Sequence, residues 1–365
     1  NIFKMILLHR LVHGILLFAI ITGCAQKKNS SEEKIIQNST ISKINGVSLV
    51  AAPDSLSHKN VASLKEVNAN YVTVMPFGFI RSLSHPEIIY DLERQWFGET
   101  RLGVIQYVEL LHNNEIEVMM KPQIWVWNGE YTGFVEMASE ADWLQLEETY
   151  KNFILDFAKV AEAAGVEIFC IGTELEKFIE HRPDYWRELI AEVKKVYNGK
   201  LTYAANWDEY RRVPFWDALD YIGVDAYFPV SESETPTVEE AIAGWGRWKK
   251  ELKTISEKEN KKILFAEYGY RSVNFSGKEP WKSDREMTSV NLEAQTNLLE
   301  GLYQSIWDEN WFAGGFLWKW FVLNEKVGGP DDNRFTPQNK PALRVVSKFY
   351  STQKERNYEY RTRHL

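Results

Sequence analysis

Two glutamates close apolar runs in this sequence. One run ends in Ile171-Gly172-Thr173-Glu174 and the other in Leu264-Phe265-Ala266-Glu267. A carboxylate in such a place is costly to bury unless it meets charge, hydrogen bonds or the water of a cleft. Taken singly, either glutamate reads equally well as half of a buried ion pair with Lys or Arg. Taken together they suit one chemistry in particular. Cleavage of a glycosidic bond needs one carboxyl group to protonate the leaving oxygen and a second to attack, or support, the oxocarbenium-like carbon. Other apolar runs end in groups that fit such a site: Lys121 and Gln123, Asn206-Trp207-Asp208, Asp225 and Tyr227, and Trp318-Lys319-Trp320. Sugar rings present apolar C–H faces, so Trp125, Trp127, Trp207, Trp318 and Trp320 are candidate stacking platforms. For each of them ordinary core or rim packing is the alternative.

The elements that must position these residues follow a single rhythm. Runs rich in Val, Ile, Phe and Tyr fall at residues 46–51, 71–75, 117–122, 167–172, 201–205, 221–227, 262–267 and 314–320. Most are apolar on both faces, as buried parallel strands are. Amphipathic stretches lie between them. In residues 141–164, Trp143, Leu146, Tyr150, Phe153, Ile154 and Phe157 recur at helical spacing, and Gly165 supplies a C-terminal stop. Residues 183–197, 238–257 and 291–308 repeat the pattern. Eight strand–helix alternations predict an α/β fold, a single-domain (β/α)8 barrel over residues 44–352. No GxGxxG follows the first strand, which disfavours a doubly wound dinucleotide-binding sheet. In a barrel of this kind the site is built at the C-terminal ends of the strands, where both glutamates fall.

Composition narrows the partners. The chain has 365 residues, fourteen of them Trp, and a formal charge of −8, which argues against a nucleic-acid partner. None of its seven His ends a predicted strand, so a metal-dependent barrel site is disfavoured and no cofactor is called for. Cys170 lies within an apolar run and reads as a small buried hydrophobe. Cys24 differs. Lys4, His9 and Arg10 precede the apolar residues 11–21, and Ile21-Thr22-Gly23-Cys24 resembles a bacterial lipobox. Residues 1–24 are therefore expected to be a lipoprotein signal peptide with Cys24 as the lipidated residue. Residues 25–43 are expected to be a flexible tether and residues 353–365 a charged tail that frays. The expected location is the bacterial cell envelope, on a membrane through the lipid anchor and facing the periplasm or the exterior.

With these residues in place, the sequence resembles the glycoside hydrolases of clan A, and most of all the β-mannanases of family 113, over residues 46–350. The resemblance implies a retaining double displacement, with Glu174 as acid/base and Glu267 as nucleophile. It also implies contacts to substrate from Tyr227 and Trp318. Much of the clan has Asn before the acid/base glutamate, whereas Thr173 stands here, which leaves Asn206 as the candidate for the sugar 2-hydroxyl. The implied partner is a β-linked polysaccharide or oligosaccharide, most of all β-1,4-mannan, although other β-glycans use the same pair. A carbohydrate-binding surface lipoprotein that has lost catalysis is the rival from another class. Glu176 is either a sugar-binding group or a solvated charge. Arg81, Asp208, Glu209, Arg211 and Arg212 are either contacts to substrate or, as exposed loop charges more often are, merely solvated, and residues 324–339 read as a loop bordering the cleft.

Overall fold

The computed structural model describes residues 43–282 and 288–363, with side chains to residue 352. The signal peptide, Cys24 and almost all of the tether lie outside the described residues. Lys43, read as the last tether residue, already belongs to the fold: it is buried and donates to the carbonyls of Glu309 (2.6 Å) and Phe312.

Eight parallel strands close into a barrel: β1 (Ile44–Val50), β2 (Tyr71–Val74), β3 (Glu117–Met120), β4 (Ile168–Thr173), β5 (Lys200–Asn206), β6 (Tyr221–Asp225), β7 (Lys262–Tyr268) and β8 (Phe312–Phe321). Each pairs with its sequence neighbour, and β8 returns to β1. All eight fall on the runs expected from the sequence. Strand alternation sorts their side chains into two layers. Ile44, Met119, Ile168, Cys170, Ala204, Leu264, Ala266 and Phe316 fill the interior. Residues such as Phe169, Ile171, Phe265 and Leu317 pack outward against the helices.

The helices are α1 (His58–Glu66), α2 (Arg101–His112), α3 (Glu140–Ala164), α4 (Glu176–His181), α5 (Pro183–Val196), α6 (Val238–Glu259), α7 (Leu292–Ile306) and α8 (Ala342–Arg363). α3 starts where the Ser139 hydroxyl accepts the Asp142 N–H and stops at Gly165, which takes a φ of 71°. α6 starts with a capping box between Thr237 and Glu240. The backbone of α8 continues into the stretch expected to fray. Its Lys, Glu and Arg are good helix formers, and extending a docked helix avoids the cost of nucleation.

One element was not legible in the sequence. Phe77–Ile80 and Gln123–Val126 pair in parallel, with Ile89–Tyr90 on the outer side of the first, and form a small sheet above β2 and β3. This sheet carries Gln123 and Trp125.

Candidate active site

The ends of β4 and β7 both break the regular strand pattern. In β7, Leu264 and Ala266 face the interior while Phe265 faces out. Strict alternation would send Glu267 outward with Phe265. Instead the register of β7 against β6 shifts between Phe265 and Glu267, and against β8 between Phe265 and Tyr268. The shift resets the phase. Tyr268 takes the outer position, where its hydroxyl meets those of Tyr303 (2.8 Å) and Tyr350 (2.7 Å), and Glu267 is turned to the top of the barrel.

Three donors hold the Glu267 carboxylate. Lys121 forms an ion pair with Oε1, and the Gln123 amide donates to the same oxygen at 3.2 Å. The Tyr227 hydroxyl donates to Oε2 at 2.7 Å. Lys121 is fully buried, with its ammonium 5.6 Å from the centre of the Trp318 ring. Burial alone would pull its pKa down, but Glu267 and Asp225 attract the charge strongly enough to leave it above the ordinary lysine value. Asp225 stands opposite Glu267 in the β6–β7 register. It is fully buried, and neither carboxyl oxygen has a hydrogen-bond partner among the described residues. Burial, and then the charge of Glu267, push it well above the usual carboxylate range.

At β4 the register against β5 shifts between Cys170 and Thr173. Gly172 is needed here, because a Cβ would lie 2.7 Å from the Tyr150 hydroxyl and 2.8 Å from the Trp186 ring. Two residues on, Glu174 takes a φ of 49°, a left-handed conformation rare for a side chain of its kind. Its carboxyl group is treated unlike that of Glu267, since no described side chain donates to it. Burial, followed by the charges of Glu267 and Glu209, pushes it up to about 8.

Both glutamates open on one cavity of about 1030 Å³. Of the residues expected from sequence, Gln123, Trp125, Asn206, Trp207, Tyr227 and Trp318 line it with them. Lys121 lies behind Glu267 rather than on the wall. Two expected platforms are elsewhere. Trp127, one residue past the strand that bears Trp125, is 62% exposed and outside the cavity lining. Trp320 faces the helix layer, where it is buried with its indole N–H on the Ser63 hydroxyl (3.3 Å).

Other expectations need correction or completion. Glu209, read as a loop charge, is 2% exposed and accepts from the Tyr203 hydroxyl (2.8 Å) and the Asn206 N–H (2.9 Å). Glu176 is committed to an ion pair with Arg212, which also holds Glu180. Arg211 pairs with Glu251. From residues 324–339 only Phe335 reaches the cavity. Lys319, read with Trp318 at the end of a strand, lines it too, as do residues that sequence reasoning passed over: Trp96, Glu99, Tyr131, Thr132 and Trp281. Trp281 stacks on Trp207, with ring centres 4.9 Å apart and planes within 18°. The residues passed over sit in irregular segments with no strand end to mark them.

The chain was compared with known proteins. The model of Glycoside Hydrolase Family 113 matches residues 53–340. No curated protein sequence matches. Among solved structures, a GH113 β-mannanase from Alicyclobacillus acidocaldarius in complex with ManMIm is 26% identical with a TM-score of 0.75, over 86% of this chain and 98% of that one. A GH113 β-1,4-mannanase is 23% identical with a TM-score of 0.74, over 86% and 100%. A β-glucuronidase from Ruminococcus gnavus shares the fold at 15% identity and a TM-score of 0.57, covering 85% of this chain and 50% of its own. With a family match over most of its length and a barrel of the same build, the chain belongs to Glycoside Hydrolase Family 113 and is a glycoside hydrolase.

Proposed function

We propose that the protein hydrolyses β-1,4-mannan with retention of configuration, using Glu267 as nucleophile and Glu174 as acid/base. The observation that supports this most is the opposite treatment of two carboxyl groups on one cavity. Glu267 is oriented by Lys121, Gln123 and Tyr227 and has its charge matched by a cation. Glu174 is buried, lies among negative charges, lacks donors and so retains its proton. A pair set apart in this way divides the labour of a double displacement. Glu267 attacks the anomeric carbon as Glu174 gives its proton to the departing oxygen, leaving a glycosyl ester on Glu267. Glu174, now a carboxylate, takes a proton from water, whose oxygen displaces Glu267 and completes hydrolysis.

Mannan as substrate is supported by the likeness to two structures described as β-mannanases. Trp125, Trp207 and Trp318 are the platforms for its rings, and Asn206 is the donor proposed for the 2-hydroxyl. The test is reducing-sugar release from mannan, glucomannan, cellulose and xylan by the wild type and Glu267→Ala. Release from mannans, lost in the variant, is the expected result. Release from another glycan alone would replace the substrate and keep the mechanism. Binding without release from any of them would favour the non-catalytic lipoprotein.

The same reading has the enzyme held at the cell envelope by a lipid on Cys24. Its support is the lipobox-like Ile21-Thr22-Gly23-Cys24 after the apolar residues 11–21. Wild-type protein should sediment with membranes and incorporate labelled fatty acid, and Cys24→Ser should do neither. A Cys24→Ser protein still acylated would end this reading.

A further inference from the structure

The backbone around Glu174 is held by side chains rather than by strand pairing alone. The peptide joining Glu174 to Leu175 has two polar groups, a carbonyl and an N–H, and each meets a hydroxyl. The Thr132 hydroxyl donates to the Glu174 carbonyl at 3.1 Å. The Leu175 N–H donates to the Tyr203 hydroxyl at 2.6 Å. Tyr203 is fully buried and has a single hydrogen to give, which goes to Glu209 Oε1 at 2.8 Å. Glu209 accepts on its other oxygen from the Asn206 N–H at 2.9 Å. The Leu175 and Asn206 N–H groups can only donate, so the Tyr203 oxygen and Glu209 Oε2 accept from them, and Glu209 Oε1 is left to take the Tyr203 hydrogen.

We propose that Thr132, Tyr203 and Glu209 are positioning residues that clamp the Glu174–Leu175 peptide plane and thereby aim the Glu174 carboxyl at the leaving-group oxygen. The proposal rests on the reading of Glu174 as acid/base. The Glu174 N–H is fixed on the Ala204 carbonyl of β5 (2.8 Å), and the clamp fixes the peptide that follows. With both flanking peptides held, the Cα–Cβ direction of Glu174 is determined. A glutamate at a φ of 49° persists only where its surroundings over-determine it, and the clamp supplies that constraint. The two hydroxyls come from different parts of the chain. Tyr203 is on β5, and Thr132 opens a short 3-10 turn, Thr132–Phe134, beyond the small sheet. Small errors in the placement of an acid cost rate steeply, so the clamp acts on the reaction as well as on the fold.

A misaimed acid has a signature that a merely weakened fold lacks. Glycosides with a good leaving group need no protonation, and those with a poor one do. The experiment measures kcat/KM on phenyl and 2,4-dinitrophenyl β-mannobiosides for wild type, Glu174→Ala, Tyr203→Phe and Thr132→Val, with thermal melts to establish folding. Tyr203→Phe and Thr132→Val should lose about tenfold to a hundredfold on the phenyl substrate and stay within about threefold on the dinitrophenyl one. Azide, which attacks the glycosyl-enzyme without a general base, should raise their kcat on the dinitrophenyl substrate. If Tyr203→Phe does not fold, Thr132→Val, a change at the cavity rim, decides. Equal losses on both substrates, or none on either, would overturn the clamp while a leaving-group split in Glu174→Ala left the acid/base reading standing. Absence of that split in Glu174→Ala itself would remove the acid/base reading and the clamp with it.

Discussion

At the end of β7 the protein grips a side chain, whereas at the end of β4 it grips a backbone. The Glu267 carboxylate takes hydrogen bonds from Lys121, Gln123 and Tyr227, contributed by the residue after β3, the small sheet and the segment after β6. The Glu174 carboxyl takes none from a described side chain, while its own carbonyl and the next N–H are held by Thr132 and Tyr203. The difference fits what the proposed mechanism asks of each group. A nucleophile must be charged and immobile, so donors can point at it directly. A general acid must keep its proton and release it to substrate, and donors aimed at its oxygens would favour the charged form. Holding the peptide instead fixes the direction of the carboxyl without stabilising its charge.

The sharpest way to break this contrast is Lys121→Met, which removes the cation from one side only. Lys121 and Glu267 are both nearly sealed from solvent. Losing one partner of such a pair leaves an uncompensated buried charge, at a cost of about 3–5 kcal/mol. The expected outcome is a clear drop in melting temperature and a fall in kcat/KM of about a hundredfold or more, as for loss of a preorganised electrostatic contact. The loss should be the same for good and poor leaving groups, because the damage is to attack and not to protonation. A loss confined to poor leaving groups would mean that Lys121 serves Glu174 instead.

A smaller effect is expected from pH. In the proposed mechanism Glu174 works in its protonated form, and burial with the charges of Glu267 and Glu209 pushes its pKa up to about 8. The acid is then available below that value and lost above it, so kcat/KM on a phenyl glycoside should fall as pH rises through about 8. Asp208 lines the cavity and its charge adds to the upward push. Asp208→Asn should therefore move the alkaline limb to lower pH by a few tenths of a unit, in line with one distant charge at the cavity wall. The shift should be absent with the dinitrophenyl substrate. A limb that stays in place, or moves upward, would show that the surrounding charges do not set the proton affinity of Glu174.

Much of this was legible in the sequence, for physical reasons. Apolar runs on both faces mark buried parallel strands, so all eight barrel strands and both glutamates at their ends could be read directly. Gly165 marked the end of α3 because its φ of 71° suits glycine. What escaped depends on contacts made across the chain. Glu209 reads as a loop charge because no local pattern records that it is buried and accepts from the Tyr203 hydroxyl and the Asn206 N–H. The phase reset that turns Glu267 inward and Tyr268 outward is a register shift between neighbouring strands, invisible in either strand alone. Trp320 belongs to the same strand end as Trp318, but β8 sends it to the helix layer. The small sheet escaped because Phe77–Ile80 and Gln123–Val126 are four residues each, too short to separate from the strands they follow.

The mildest test concerns how far the gripped end of the cavity extends. Trp125 and Trp127 are two residues apart, a spacing that places side chains on one face of an extended segment. They are 51% and 62% exposed, yet only Trp125 lines the cavity. Stacking one sugar face on an indole buries apolar area on both, and truncation of a wall residue should cost about 1 kcal/mol. Trp125→Ala should accordingly raise KM for mannan severalfold with little change in kcat, and Trp127→Ala should stay within about twofold of wild type. Both substitutions leave Lys121, Gln123 and Glu267 in place, so a fall in kcat would point to disturbance of the Gln123–Val126 strand instead. If Trp127→Ala weakens long mannan as much as Trp125→Ala does but leaves short mannooligosaccharides unaffected, the glycan runs past the rim, and the small sheet both orients Glu267 and carries the polymer toward it.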